Sequence, residues 1–457
     1  MKKNYLLGMA LMASLSFYSC DKEVVYVQDG NGVESVADGV QIITLQVENG
    51  GDGLATRAGR PLYSAEAKQT IENVKLWICD GAGNVKYVTT ISNWDKDGST
   101  PYTTGGHGRQ TTIELKGADK LAAGTYKIYA VGYSATSDYD LTKVTEVKKT
   151  EEGGGKYTFS ENMVLPIKGG DTNKIGEEIF AGQMKLTVEK GKGFKKPVVL
   201  NRQVAGAFAY VKDIPFMKGA KYLKLVASAQ NQSLVLGNFN SFDLTGNGSG
   251  NANVKYVVNG TNGKSGSETY VISTIDLNKW FTAIKDEDGD NLIDAGENWK
   301  NPRRPSGSPA AGTYPTFQKG SAFGGEFVIP FAHVDGKQTL TLQLTNADGT
   351  TVLRSWKVNL GSADEQLKQT ITCWNSGSTN WSAPLSGESS STYSLVRNHL
   401  YGIGTRMNDE ANPEKPGVDP DPNPENPNDK PESLNNKQEL VLKVNDNWEV
   451  IHGMELD

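Results

Sequence analysis

Residues 286–297 carry the most recognisable chemistry in the chain, reading Asp-Glu-Asp-Gly-Asp-Asn-Leu-Ile-Asp-Ala-Gly-Glu. Asp286, Asp288 and Asp290 take positions one, three and five of a twelve-residue calcium loop, and Leu292 offers its carbonyl at seven. Asp294 fits position nine, Glu297 fits twelve, and Ile293 is the apolar residue expected at eight. Oxygen ligands at this spacing suit a hard cation that takes about six to eight of them. Asn291 stands where the sharp turn usually has glycine, and asparagine tolerates the left-handed conformation next best. A helix over 277–284 would precede the loop, while Pro302 leaves little room for one after it. The alternative is a solvated acidic loop. A bound Ca2+ would stiffen an exposed segment and not signal, and no cofactor is required.

Nothing else in the sequence has the arrangement of a catalyst. The four histidines, His107, His333, His399 and His452, are scattered singly. Neither HExxH, GxSxG, GxGxxG nor a Walker A sequence occurs, so an enzyme is not expected. Acidic pairs such as Glu151-Glu152 and Glu177-Glu178 read as solvated faces. Trp280, Trp299, Trp374 and Trp381 read more readily as core or hairpin-packing residues than as sugar platforms. With Lys+Arg at 47 and Asp+Glu at 53, the net charge is -6 without long runs, which leaves no basic patch for nucleic acid. The three cysteines form no CxxC pair, and Cys79 and Cys373 read as two thiols rather than a bridge.

Cys20 has its own chemistry. Lys2 and Lys3 precede an apolar stretch over 5–17 that ends at Ser19-Cys20, the pattern of a signal peptide closed by an acylated cysteine. The run is too short for a permanent membrane span. Residues 1–20 are therefore expected to be a lipoprotein signal, with Phe17 and Tyr18 bulkier than usual upstream of the cysteine. The protein is expected to be exported.

The elements that must position these groups are strands. At about 100–200 residues per domain, 457 residues suggest two to four domains. The 51 glycines, with many Thr, Val and Tyr, favour short strands joined by turns. Strand segments 74–78 and 85–88 flank Asp80-Gly81-Ala82-Gly83-Asn84, a hairpin signature, and 339–344 and 352–358 flank Asn346-Ala347-Asp348-Gly349. Further strands are expected at 126–131, 198–204, 222–227 and 269–275, with sparse helix at 64–72 and 277–284. The expected fold is all-β: two antiparallel β-sandwich domains, 58–196 and 197–411, behind a leader over 21–57. Residues 412–436 carry Pro413, Pro416, Pro420, Pro422, Pro424, Pro427 and Pro431 among acidic and amide residues, an extended spacer.

After the spacer, 437–457 returns to strand chemistry. Leu440, Leu442, Val444, Trp448 and Val450 share one parity against mostly polar neighbours, a period-2 pattern about 60 Å long if fully extended. An isolated strand is unstable in water and must find a sheet with a vacancy, in its own chain or another. The two readings are an edge strand folded back on its parent sandwich and a strand donated to a neighbour. Ile43-Thr44-Leu45-Gln46-Val47-Glu48 has the same alternation as Leu440-Val441-Leu442-Lys443-Val444-Asn445, so Ile43, Leu45 and Val47 could fill the same pockets. The loop that follows, from Asn49 to Arg57, is Gly-rich and suited to proteolytic nicking, which would release the first strand.

These features resemble the FimA-like fimbrillins of type V pili in Bacteroidetes-type bacteria, and most of all the shaft subunit of a short fimbria. The resemblance rests on Thr56-Arg57-Ala58-Gly59, on Leu395-Val396-Arg397-Asn398-His399-Leu400-Tyr401, on the Asp/Asn/Pro spacer from Asp419, and on Trp448-Glu449-Val450. Asp21-Lys22-Glu23 is similar to the surface-export tag of lipoproteins in such bacteria. The resemblance implies two transthyretin-like sandwiches, lipidation at Cys20, and a place at the outer-membrane surface of the cell, anchored through that lipid until cleavage. It implies that an arginine-specific surface protease cuts between Arg57 and Ala58, Arg60 being disfavoured by Pro61. Copies of the chain and other fimbrial subunits would then join by strand addition. Host or bacterial surface ligands would be the adhesive partners.

Overall fold

The computed structural model describes residues 39–47, 71–101, 109–150, 162–170, 176–237, 257–296, 298–300, 317–332, 340–360, 371–385, 394–404, 431–435 and 439–445. Cys20, Arg57, Ala58, Glu297, Trp448 and Val450 lie outside them, as does most of the helix expected at 64–72. Among the described residues the regular structure is almost entirely strand, with one four-residue α-helix, α1 (Thr142–Thr145). None of the described helices is long and apolar enough to cross a membrane.

The first half supplies β1 (Gln41–Val47), β2 (Asn73–Asp80), β3 (Val85–Ile91), β4 (Thr100–Pro101) and β5 (Arg109–Leu115). It continues with β6 (Gly124–Tyr133), β7 (Met163–Pro166), β8 (Phe180–Val188) and β9 (Phe194–Arg202). Their order is β3-β2-β6-β8-β9-β1-β5-β4, and β8 meets β9 only at Phe180↔Arg202 and Ala181↔Asn201. The sheet therefore folds at that seam into two four-stranded layers. Between them lie Ile43, Leu45 and Val47 of β1 with Val74, Leu76 and Ile78 of β2 and Leu186, Val198 and Leu200. β2 is buried on both faces, because Trp77 and Cys79 enter a second core with Tyr139, Val144 and Leu165.

The strand beginning at Phe194 belongs wholly to this first sandwich. It runs parallel to β1 from Gln41↔Phe194 to Val47↔Leu200, so the boundary expected at Pro197 falls inside β9. Lys190-Gly191-Lys192-Gly193 is the β8–β9 turn, closed by Lys192 N–H donating to Glu189 O, rather than a linker. The change of sheet comes after Arg202, at β10 (Ala205–Lys212).

The second half continues with β11 (Ala220–Gln230), β12 (Ser233–Leu236), β13 (Val257–Val258), β14 (Gly260–Thr261) and β15 (Lys264–Asp276). Then come β16 (Ala322–Val328), β17 (Leu340–Asn346), β18 (Val352–Leu360), β19 (Ile371–Asn375) and β20 (Asn380–Leu385). β21 (Leu400–Ile403), β22 (Glu432–Ser433) and β23 (Glu439–Asn445) end it. The large sheet is ordered β15-β11-β17-β18-β23-β21-β10-β16 around Phe208, Leu225, Trp356 and Tyr401. Most pairs are antiparallel, as expected, but β1–β9, β10–β21, β10–β22, β13–β19 and β18–β23 are parallel. The halves are not independent: β12 pairs with β7, and Leu234 and Leu236 complete the second core.

Both expected hairpins form, β2–β3 and β17–β18. The first is set by Asp80, whose Oδ1 accepts from Ala82 N–H and Asn84 N–H and whose Oδ2 accepts from Asn84 Nδ2. Burial pushes its carboxyl up, but the bonds from Asn84, Lys86 and Ala82 outweigh that and hold it at about 2. A carboxylate depressed on folding stabilises above its unfolded pKa of about 3.9 and loses that effect as pH falls through its folded value. Asp80→Ala should therefore be less stable than the parent at pH 7, and the gap should close between about pH 4 and about pH 2. Urea unfolding of the pair across that range measures it.

The helix expected at 277–284 is a single 3-10 turn, Leu277–Lys279, capped by the Asp276 side chain accepting from Asn278 N–H. Beyond it the backbone pairs instead: Thr282 N–H donates to Asn298 O, Lys300 N–H donates to Trp280 O, and Phe281 bridges Trp299. Trp280 and Phe281 are adjacent and both buried, which a strand-like segment locked in the core satisfies.

Candidate strand-exchange site

β1 is an interior strand. It pairs along all seven residues with β5, antiparallel, and with β9, parallel. Ile43, Leu45 and Val47 have no exposed surface, and Thr44 and Gln46 on the other face are also buried. Gln41 fixes one end, its Nε2 donating to Leu121 O at 2.8 Å and its Oε1 accepting from Leu121 N–H at 2.7 Å. At the other end Gln46 Nε2 donates to Gln110 Oε1 at 3.3 Å. Withdrawing β1 would bare an apolar groove and two rows of backbone groups, a template for another strand.

β23 lies in a slot of the same kind in the second sandwich. It runs parallel to β18, from Lys357↔Glu439 to Leu360↔Leu442, and antiparallel to β21, from Leu400↔Asn445 to Ile403↔Leu442. It overlaps each neighbour over four residues, against seven on each side of β1. Leu440 is buried in the core, and the ladder pairs Leu442 with Ile403 and Val444 with Tyr401. In the single chain the strand is thus paired inside its own sheet, not at an edge. The spacer is also tied down before it: Leu434 is buried, its N–H donates to Lys212 O, and β22 pairs with β10.

The segment before β21 crosses the junction between the sandwiches. Arg397, Asn398 and His399 are buried; Asn398 N–H donates to Val204 O and Gly206 N–H to His399 O. Arg397 Nη1 donates to Gln203 Oε1 and to Gly237 O, and burial pushes its guanidinium down to about 9. Asn398 Oδ1 accepts from Arg202, which is paired with Glu178 at 2.8 Å with neither side chain exposed. Glu178 is therefore no solvated face. Its partner lies 24 positions away, with no local pattern to announce it.

The acidic loop brings Asp286, Asp288 and Asp294 together, one carboxylate oxygen of each within 4.8 Å of the others. Asn291 adopts φ 65°, the left-handed turn the sequence required of it. Asp286 accepts from Gly289 N–H and Asn291 N–H, Asp290 from Leu292 N–H, and Asp294 from Glu287 N–H. Ile293 is buried and its N–H donates to Ile214 O, which anchors the loop to the second sandwich. The three carboxylates are chemically suited to a hard divalent cation, and the same bonds close the loop without one. Leu292 pairs across to Pro215, and Phe216 N–H donates to Asn291 O.

No family model matches the chain, and no curated protein does. Solved structures similar to it include the fimbrial anchor protein Mfa2 from Porphyromonas gingivalis, 9% identical over 79% of this chain and 100% of that one, at TM-score 0.32. The tip fimbrial protein Mfa3 from Porphyromonas gingivalis is 9% identical over 81% and 96%, at TM-score 0.35. A fimbrial assembly protein from Parabacteroides distasonis is 11% identical over 77% and 100%, at TM-score 0.32. Likeness of this order carries neither role nor partner from those proteins to this one.

Proposed function

We propose that this chain is a non-catalytic structural subunit of a surface fimbrium that polymerises by strand exchange after proteolysis. In this reading Cys20 anchors the precursor to the outer membrane, an arginine-specific protease cuts after Arg57, and β1 leaves. The C-terminal strand of the next copy, or of another fimbrial subunit, then fills the groove. One observation carries the reading: β1 and β23 occupy interior slots of the same design, one parallel and one antiparallel neighbour each, with matching apolar alternation. The slot of β1 pairs over its full length on both sides, whereas β23 is held over shorter overlaps, so transfer of β23 would lengthen its pairing. Re-covering the apolar groove that β1 vacates favours the transfer, against the cost of withdrawing β23, with Leu440 already buried, from its own slot and the ordering costs of association. The 286–297 loop, with Glu297 as its last ligand, would hold Ca2+ as a stiffener.

The test is a precursor beginning at Asp21, digested briefly with an arginine-specific protease and run unboiled in detergent. A ladder of multimers whose N-terminus is Ala58 is expected. Deleting 437–457 should abolish it, and the free 437–457 peptide in excess should collapse it to monomers. A clean cut with no ladder would overturn the reading.

A further inference from the structure

The β19–β20 hairpin, residues 371–385, holds no charged side chain, in a chain of which 22% is Asp, Glu, Lys or Arg. It reads Ile-Thr-Cys-Trp-Asn-Ser-Gly-Ser-Thr-Asn-Trp-Ser-Ala-Pro-Leu, and its tip, 375–380, is exposed throughout. Directly beneath the tip Trp374 faces Trp381 across the two strands, the rings edge-to-face with centroids 5.1 Å apart. Both are half-buried, so each keeps part of its surface in water. Trp381 is held from the other half of the chain, its Nε1 donating to Asn162 Oδ1 at 2.8 Å.

The tip is also strained. Thr379 adopts φ 48°, while every other described non-glycine residue at positive φ is Asn or Asp. A β-branched residue there is an outlier, held by the structure around it, and strained backbone of this kind clusters at functional sites. Glycine or asparagine would suit the backbone better. The turn around it is fixed from within: Asn375 Oδ1 accepts from Gly377 N–H and Ser378 N–H, and Ser378 Oγ donates to Asn380 Oδ1. Aromatic anchors beside adaptable Ser, Gly and Asn are the composition of a recognition surface.

We infer that this tip is a binding site for a neutral saccharide. The C–H face of a pyranose is apolar and weakly positive, which matches the electron-rich face of an indole. The ring hydroxyls match the Asn375 and Asn380 Nδ2 donors, the Thr379 hydroxyl and Ser378 Oγ as an acceptor, groups the turn does not use to close itself. The hairpin has no cation for a uronate or a sulfate. A pre-fixed turn reduces the ordering cost of binding a small polar ligand. This inference is independent of polymerisation.

The test is native-gel affinity electrophoresis of the chain from Asp21 in gels containing mannan, dextran or galactan, with hyaluronan as the anionic comparison. Retardation is expected in at least one neutral gel, reversed by the matching free oligosaccharide. It should be lost in Trp374→Ala and weakened by about tenfold, which is about 1.4 kcal/mol, in Ser378→Ala/Asn380→Ala. The double variant keeps the Trp pair, and its near-UV circular dichroism reports that the hairpin is intact. Thr379→Gly should stabilise the turn yet weaken retardation. No retardation in any neutral gel, retardation in hyaluronan alone, or retardation unchanged in all three variants would overturn the assignment.

Discussion

Replacing Glu178 by alanine is expected to lower the unfolding free energy by about 3–5 kcal/mol, the cost of leaving a buried charge without its partner. Arg202 has no exposed surface, and its Nε and Nη2 both reach Glu178 Oε1, at 2.9 and 2.8 Å. Without the carboxylate the guanidinium keeps Asn398 Oδ1 at 3.3 Å and the Phe180 ring at 4.9 Å, both neutral. Glu178→Gln keeps the shape and should lose less. Glu178→Met with Arg202→Met removes both charges and should return close to the parent, since replacing a whole buried pair by apolar groups is often neutral. Urea unfolding followed by tryptophan fluorescence measures the series. A loss under about 1 kcal/mol for Glu178→Ala would mean that Arg202 rehydrates, and the junction is looser than its burial indicates. The effect reaches the exchange site, because Asn398 leads directly into β21, one of the two strands that hold β23.

What the sequence made legible here is what short-range chemistry decides. The Asp80 and Asp348 turns carry their own acceptors, so both hairpins were readable from a few residues. The alternation of Ile43, Leu45 and Val47 was enough to place β1 with one face in a core. Pairings between distant segments left no such trace. β7 joins β12 across about seventy positions, which is why the halves share a core that no local pattern foretold. Glu178 looked like half of a solvated acidic pair because its partner is on the far side of a hairpin. The helix expected at 277–284 gives way for the same reason: Trp280 and Phe281 suit a helix locally, and the pairing with 298–300 is what decides. That 439–445 forms a strand is legible from its residues, and the acceptor strands β18 and β21 are not.

A disulfide between β1 and β5 is expected to stop polymerisation without stopping cleavage. Gln46 and Gln110 are directly opposed in the antiparallel ladder, and their side chains already meet at 3.3 Å. Opposed residues in such a ladder have Cα atoms about 4.5–5.5 Å apart, within the span a disulfide bridges. Gln46→Cys/Gln110→Cys, made in a chain from Asp21 with Cys373→Ser, leaves Cys79 as the other thiol. Burial, with the charge of Asp80 adding to it, pushes Cys79 up to about 11, so little of it is thiolate at neutral pH and it competes poorly. Oxidised, the variant should be cut after Arg57 yet show no multimers, because the severed leader stays stapled in its slot. Dithiothreitol added after cleavage should restore the ladder, which separates a blocked groove from a damaged fold. If the oxidised, cleaved protein polymerises as well as the parent, β1 need not leave. The growing contact would then lie elsewhere, and the like design of the β1 and β23 slots would be a feature of folding alone.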